Sequence, residues 1–456
     1  MTANRKNRQQ NDNNDDEEDE GAPLYALIIS PTRELAIQIT THIQTAAKYT
    51  SIQCVSVVGG LASAKQERLL TKCPEIVVGT PGRLHKLMTD GCEHLNKINT
   101  LKLLVIDEAD RMLEHGHFKE LSDILDIINR TQTKRQNFVF SATLTLPQHH
   151  KNFKQKQKKN AAVEEGVTKE TQMLMDKVGL NAKAEIIDLT PKHVMATQLE
   201  QLRVMCTEDE KIVYLAYFLL HHPGRSVIFV NSIALTHRLC SLLTLLNFTP
   251  LPLHAGKQQR QRLKYLERFT DNENGLLIAT DVAARGLDIP NVCNVVHFQL
   301  PKDPKVYVHR SGRTARAHAS GVSLILQGPE DFPALKRVTG VLKLGKDIPC
   351  LHVDRNMIEG IKKRVHLAKE IDQEEHKHRK ENADATWARK SQEAMEMEAD
   401  EVAENKMSKG ERARLNAKRK QLEHLLAQEL RPAGCSGSYI TQSGSVLQTG
   451  VKMCKR

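Results

Sequence analysis

The 456-residue chain is poor in aromatic side chains, at 4% of its residues with a single Trp, so its core must be mainly aliphatic. Cysteine is sparse as well. The nine Cys are scattered, with Cys54, Cys73, Cys92 and Cys206 far apart and no Cys-x-x-Cys pair. That spacing excludes a disulfide framework and a zinc site, and it predicts reduced thiols inside a cell. No apolar run approaches the roughly 18–20 residues that cross a bilayer. Met1–Gln10 is polar and basic with no apolar stretch behind it, which predicts the absence of a secretory signal. Acids are outnumbered: 66 Lys+Arg face 55 Asp+Glu, a net charge of +11. A basic balance suits a nucleic-acid partner but on its own says little about function.

What is present has a rhythm. Short apolar runs rich in β-branched residues each end in a small polar cluster, at Tyr25–Ile29, Val55–Val58, Ile76–Val78, Leu103–Ile106 and Phe138–Phe140. A second set lies at Val227–Val230, Leu251–Leu253, Leu276–Ala279, Val292–Phe298 and Ser323–Leu326. Amphipathic stretches such as Glu34–Lys48 and Phe118–Asn129 separate the runs. Strands alternating with helices predict βαβ units and two tandem α/β domains with parallel sheets. The expected divisions are an acidic arm over 1–20, a first domain over 21–150 and a linker with an insertion over 151–195. A second domain follows over 196–348, then a charged helical tail over 349–431 and a Gly/Ser/Thr-rich tail over 432–456. The balanced charges of Lys362–Leu430 predict a solvated helix, partly free in solution.

In parallel sheets, ligands bind beyond the carboxyl ends of strands, so the polar clusters there are the candidates. Leu103–Ile106 runs into Asp107-Glu108-Ala109-Asp110. Three acids in four residues repel one another, and Mg²⁺ with a phosphate would explain them. One carboxylate would hold the hydrated ion and the next would orient or deprotonate a water. Taken alone, such a turn reads as a solvated loop. Ser141-Ala142-Thr143 follows another strand, where its hydroxyls can bond the acids if the two strands are neighbours. Pro31-Thr32-Arg33-Glu34 and Thr80-Pro81-Gly82-Arg83 each join a Pro, a hydroxyl and an Arg at a helix start, which suits a nucleic-acid phosphate. Gly59-Gly60 would let a phosphodiester approach closely. Each of these, standing alone, also reads as a helix cap with a surface Arg. In the second domain, Leu276–Ala279 leads into Thr280–Asp288, and His309–Arg316 carries arginines at 310, 313 and 316 on one helical face or at a helix start.

In this order the clusters resemble the DEAD-box family of ATP-dependent RNA helicases. The matching segments are PTRELA (31–36), GG (59–60), TPGR (80–83), DEAD (107–110), SAT (141–143), VIFVNS (227–232), QQRQR (258–262), ATDVAARGLDIP (279–290) and HRSGRTAR (309–316). DEADRMLEHGHF, SATLTL and the acidic stretch before PTRELA are most similar to the nucleolar DEAD-box 24 type. The resemblance implies two RecA-like domains, with ATP and Mg²⁺ as cofactors and RNA as partner, in ribosome assembly in the nucleolus. It assigns catalysis to Asp107 (also the metal ligand), Glu108, Arg313 and Arg316, the two arginines as fingers on the triphosphate. Gly286 and Asp288 would meet the nucleotide. RNA would be held by Pro31, Thr32, Arg33, Gly60, Thr80, Gly82, Arg83, Gln259, Arg262 and Thr280. Ser141, Thr143 and His309 would couple the ATP state to RNA. Protein partners would meet the C-terminal tail.

One family feature is missing from residues 1–456. Members carry Gly-x-x-x-x-Gly-Lys-Ser/Thr before PTRELA, with an adenine-reading Gln upstream. Here the only Gly-Lys pairs, Gly256-Lys257 and Gly345-Lys346, lack the spacing and the following hydroxyl. The expectation is an N-terminally truncated first domain with a short sheet and weak ATP hydrolysis by this chain. The alternatives are an RNA- or protein-binding module without turnover and a DNA helicase with the same tandem domains.

Overall fold

The computed structural model describes residues 22–112, 119–131, 134–142, 198–281, 291–316, 319–341, 348–394 and 408–430, with single positions 178, 185, 187, 189 and 289. The acidic arm, nearly all of the linker and the tail from 432 lie outside these residues, as do Thr143, Gly286 and Asp288. The chain divides into two compact units, with the main boundary between Val194 and Met195.

The first unit holds β1 (Ala26–Ile29), β2 (Cys54–Val57), β3 (Ile76–Gly79), β4 (Leu103–Ile106) and β5 (Gln136–Val139). They form one sheet in the order β2-β3-β1-β4-β5, every pair parallel. Its helices are α1 (Arg33–Ala46), α2 (Ser63–Leu70), α3 (Pro81–Thr89), α4 (Glu93–Asn96), α5 (Ala109–Met112) and α6 (Lys119–Asn129). In α6, Leu121, Ile124, Leu125 and Ile128 recur at helical spacing and are buried against strand residues such as Leu104 and Ile106. Each such aliphatic burial is worth about 1.5–3 kcal/mol. Among the described residues this core contains no aromatic ring, in line with the low aromatic content. Among the described residues β5 pairs only with β4, and Phe138 and the nearby Phe140, two positions apart, are both exposed and stacked on each other.

The second unit holds β6 (Leu199–Met205), β7 (Ser226–Val230), β8 (Pro250–Leu253), β9 (Leu276–Thr280), β10 (Asn294–His297) and β11 (Gly321–Gln327), in the order β6-β11-β10-β7-β9-β8, again all parallel. Its helices are α7 (Lys211–His221), α8 (Ile233–Leu245), α9 (Gln259–Asp271), α10 (Pro304–Ser311), α11 (Phe332–Val341), α12 (Arg355–Ala394) and α13 (Lys409–Ala427), although the start of α9, up to Lys264, groups with the first unit. The edges are protected. β8 carries Pro250 and Pro252, which have no N–H to offer a further strand. Beside β6, Arg203 N–H donates to Pro349 O at 2.9 Å, and Leu351 N–H donates to Arg203 O at 2.8 Å. β6 itself was not foreseen. Glu200, Gln201 and Arg203 break the apolar run of LEQLRVM, and only Leu202 and Val204 are fully buried, as suits an outer strand.

The tail differs from the expectation of a partly free helix. In α12, Ile358, Ile361, Val365, Ala368 and Ile371 are buried in the core shared with α7 and α8, and Leu415 and Leu422 of α13 join them. Arg364 bonds Gln428 O and Lys418 Nζ bonds Glu374 at 2.8 Å, so the two helices run antiparallel. Charge balance hid this, because the apolar residues are few yet spaced at three and four. Lys418 also meets Glu370 at 2.7 Å, and Arg419 meets Glu375 at 2.7 Å, exposed pairs worth about 0–1 kcal/mol each. No helix among the described residues is long and apolar enough to cross a membrane.

Two stability outcomes follow from the second unit. A side-chain carbon on Gly321 would lie 2.1 Å from Thr314 Oγ1 and 2.7 Å from Ala315 N, which is backbone. Gly321→Ala should therefore cost about 2–3 kcal/mol and lower the calorimetric midpoint of this unit by roughly 5–10 °C. Burial, and then the charge of His221, lowers the His222 pKa from 6.5 to about 4; burial holds His297 well below 6.5. Both are neutral when folded, whereas the unfolded chain takes up protons as pH falls below 6.5. Their contribution is complete above that pH and is lost toward pH 4, and His222→Phe should flatten part of this fall in thermal midpoint.

Candidate functional site

In the first unit, the parallel order brings the ends of β2, β3 and β1 side by side. Thr32 caps α1 in an extended conformation and its hydroxyl accepts from Leu35 N–H at 3.4 Å. Pro31 precedes it, and Arg33 is exposed in the first helical turn. Arg33 lays its guanidinium over Gly59 and Gly60. A side-chain carbon would sit 3.3 Å from Arg33 Nη2 at Gly59 and 2.8 Å from Nη1 at Gly60. Gly60 also has φ +78°, a left-handed conformation that favours glycine.

Thr80 caps α3 by its backbone, but its hydroxyl makes no capping bond. A side-chain carbon on Gly82 would meet nothing within 4 Å, so packing does not demand a glycine there. Arg83 is partly buried, its side chain 9% exposed; Nε and Nη2 are hidden without hydrogen-bond partners, and Nη2 pairs loosely with Glu67 Oε1 at 3.9 Å. Hidden guanidinium donors left unused are costly unless an anion meets them. An open space at Gly82 beside such an arginine fits a phosphate.

The acidic cluster lies at the end of β4. Asp107 N–H donates to Ile29 O at 3.0 Å, and Asp107 Oδ1 accepts from Glu108 N–H at 2.9 Å. Glu108 sits at φ +47°, a strained conformation for a side-chain-bearing residue. Burial raises the Asp107 pKa; the Glu108 N–H pulls it back, and the charges of Glu108 and Asp110 push it up again. A carboxylate so placed gains from a cation. Among the described residues no group of three or more acidic, His or Cys side chains is arranged to hold a metal. β5 does neighbour β4, and Ala109 N–H donates to Phe140 O at 3.0 Å. Ser141 Oγ is buried without a hydrogen-bond partner, so the expected bond to the acids is not made.

In the second unit the three arginines of HRSGRTAR do not share one helical face. α10 ends at Ser311 with Gly312 as its cap, where a side-chain carbon would come 3.1 Å from Val308 O. Arg310, inside the helix, is buried. It donates to Asp281 Oδ1 at 2.5 Å and Oδ2 at 2.7 Å, to Gln299 O at 2.7 Å and to Asn231 Oδ1 at 2.7 Å. It also lies 5.2 Å from the Phe229 ring centroid. Asn231, Asp281 and Gln299 stand just beyond β7, β9 and β10, so one guanidinium ties three strand ends. This bidentate, fully used arginine is structural. Arg313 and Arg316 lie in the turn after the helix. Arg313 Nε donates to His309 O at 3.1 Å and Arg316 Nε to Gly312 O at 2.8 Å. Ala315 between them has φ +55°, and Thr314 Oγ1 anchors the turn on Val292 O at 2.5 Å.

Thr280 ends β9, Gln259 and Arg262 occupy the first turn of α9, and His309 lies near the end of α10. Gly286, Asp288 and Thr143 lie outside the described residues. Sequence reasoning missed the roles of Asn231, Asp281 and Arg310, although each sits inside a quoted segment. It also missed Gln66, whose buried amide pairs with Val58 at both N–H and C=O, each at 3.0 Å.

Residues 10–153 match the DEAD/DEAH box helicase family, and residues 210–318 match the helicase conserved C-terminal domain. The chain is 42% identical over 436 residues to the human ATP-dependent RNA helicase DDX24, covering 92% of this chain and 50% of that protein. It is 36% identical to the ATP-dependent RNA helicase mak5 of Schizosaccharomyces pombe, covering 91% of this chain and 64% of that protein. It thus spans about half the length of the DDX24 relatives it matches. Among solved structures, S. cerevisiae Dbp5 bound to RNA and ADP BeF3 is similar with TM-score 0.59 and 25% identity, over 77% of this chain and 83% of that one. Mss116p bound to ssRNA and AMP-PNP shares the fold with TM-score 0.62 at 22% identity, over 90% of this chain and 77% of that one. With two parallel-sheet units that carry the family's segments at their strand ends, the chain belongs to the DEAD-box family of RNA helicases.

Proposed function

We propose that the complete protein couples ATP hydrolysis to RNA binding and local duplex unwinding in ribosome biogenesis, in the nucleolus. The observation that carries this reading is the common edge of the first sheet, with Arg33, Gly60, Gly82 and Arg83 at one end and Asp107 and Glu108 at the other. RNA backbone would lie against Pro31, Thr32, Arg33, Gly60, Thr80, Gly82 and Arg83, with Gln259, Arg262 and Thr280 serving the second unit. Arg83 supplies its unused N–H donors to a phosphate, and Gly82 leaves the space that phosphate needs. The substrate would be ribosomal RNA or pre-ribosomal particles, the resemblance to the nucleolar type being the support.

Asp107 would hold Mg²⁺, which neutralises phosphate charge when bound. Glu108 orients the attacking water and takes its proton, and the turn at φ +47° fixes where that carboxylate points. Arg313 and Arg316 supply positive charge to the triphosphate, and Gly286 and Asp288 serve the nucleotide. Ser141, Thr143 and His309 couple the nucleotide state to RNA. Protein partners would meet the α12–α13 hairpin.

Residues 1–456 contain no Gly-x-x-x-x-Gly-Lys-Ser/Thr. That absence favours a second reading for the chain taken alone, an RNA-binding module with little turnover. Phosphate release by purified residues 1–456 with saturating RNA should stay at background. A longer form that carries such a loop should show RNA-stimulated release, and Glu108→Gln in that form should cut it by about 10²–10⁴ while RNA affinity holds. Robust turnover by residues 1–456, or an active Glu108→Gln form, would remove this assignment.

A further inference from the structure

We infer that Gln66 is a positioning residue for RNA binding, acting through the Gly59-Gly60 turn on Arg33; this rests on the RNA-binding reading above. Gln66 lies on α2 and is buried. Its Oε1 accepts from Val58 N–H at 3.0 Å. Its Nε2 donates to Val58 O at 3.0 Å and to Leu61 O at 3.3 Å. One side-chain amide thus grips the chain on both sides of the glycine pair, much as a neighbouring strand would.

The two residues between these grips have no side chains of their own to hold them. Gly60 is left-handed at φ +78°, and Arg33 lies across both glycines. The contact is close enough that the turn's position sets where the guanidinium rests. Arg33 is exposed, so one side of that flat group faces solvent while the other is supported. A guanidinium held flat keeps its N–H fork ready for a phosphate and loses less rotamer freedom on binding. Gln66→Leu leaves Val58 N–H and C=O unpaired and frees the turn. Gln66→Glu keeps the size and the bond from Val58 N–H but loses both donated bonds.

The test is binding of a labelled single-stranded oligouridine by residues 1–456, across a series of salt concentrations. Gln66→Glu should weaken binding about threefold to tenfold and reduce the magnitude of the log–log salt slope by about one. A fold-only role would lower the thermal midpoint without changing that slope. In an Arg33→Ala background, Gln66→Glu should cause no further loss. If Gln66→Leu does not fold, Gln66→Asn, which keeps the amide but shortens its reach to Val58 and Leu61, should give the same loss as Gln66→Glu. Wild-type affinity and slope in Gln66→Glu, or an equal loss in the Arg33→Ala background, would overturn the inference. Arg83→Ala separates the two levels. If it weakens binding and Gln66→Glu does not, only the role of Gln66 falls. If the wild-type chain does not bind, or Arg83→Ala changes nothing, the RNA reading falls and this inference with it.

Discussion

Every strand in each sheet runs in the same direction, and from that constraint the rest follows. A parallel strand cannot turn straight back, so each is followed by a loop and, in most cases, a helix that recrosses the sheet. All carboxyl ends therefore open on one edge. Segments far apart in sequence, such as residues 31–33, 59–60, 80–83 and 107–110, become neighbours there. Many of these residues, such as Arg33 and Gly82, lie outside the core and are free to be polar, small or charged, although Ala109 packs within it. The aliphatic runs that precede them supply the stability.

Two arginines show how the use of hydrogen-bond donors separates structure from function. Arg310 uses its donors on Asp281, Gln299 and Asn231 and lies over Phe229. A guanidinium so satisfied is part of the scaffold, and removing one partner would strand a charge. Arg83 is less deeply buried, and its Nε and Nη2, both hidden, have no hydrogen bonds. Such a cost is tolerable where a ligand meets it. The same contrast separates Thr314, whose hydroxyl is spent on a backbone carbonyl, from Thr80, whose hydroxyl makes no capping bond.

Apolar rhythm located the buried strands well, because β1, β4, β7 and β9 are flanked on both sides and must be nearly all aliphatic. It missed β6, where a single neighbour lets Glu200 and Arg203 interrupt the run. It misread α12, whose burial depends on a stripe of five residues within a charged segment. Of the candidate site, the placement of Asp107, Glu108, Arg33 and Arg83 just beyond strand ends was legible, because polar clusters interrupt the apolar runs there. The bonds that arrange them were not legible. Gln66 reaches Val58 across eight positions and Arg310 reaches Asn231 across 79, and no local pattern marks either partner.

The central claim is that the first sheet's edge meets the backbone of RNA. Competition between single-stranded RNA and DNA of identical sequence and length for residues 1–456 tests it most directly. Contacts that use 2′-hydroxyls as well as phosphates predict tighter binding of RNA at every salt concentration. Equal affinity, or a preference for DNA, would contradict the account.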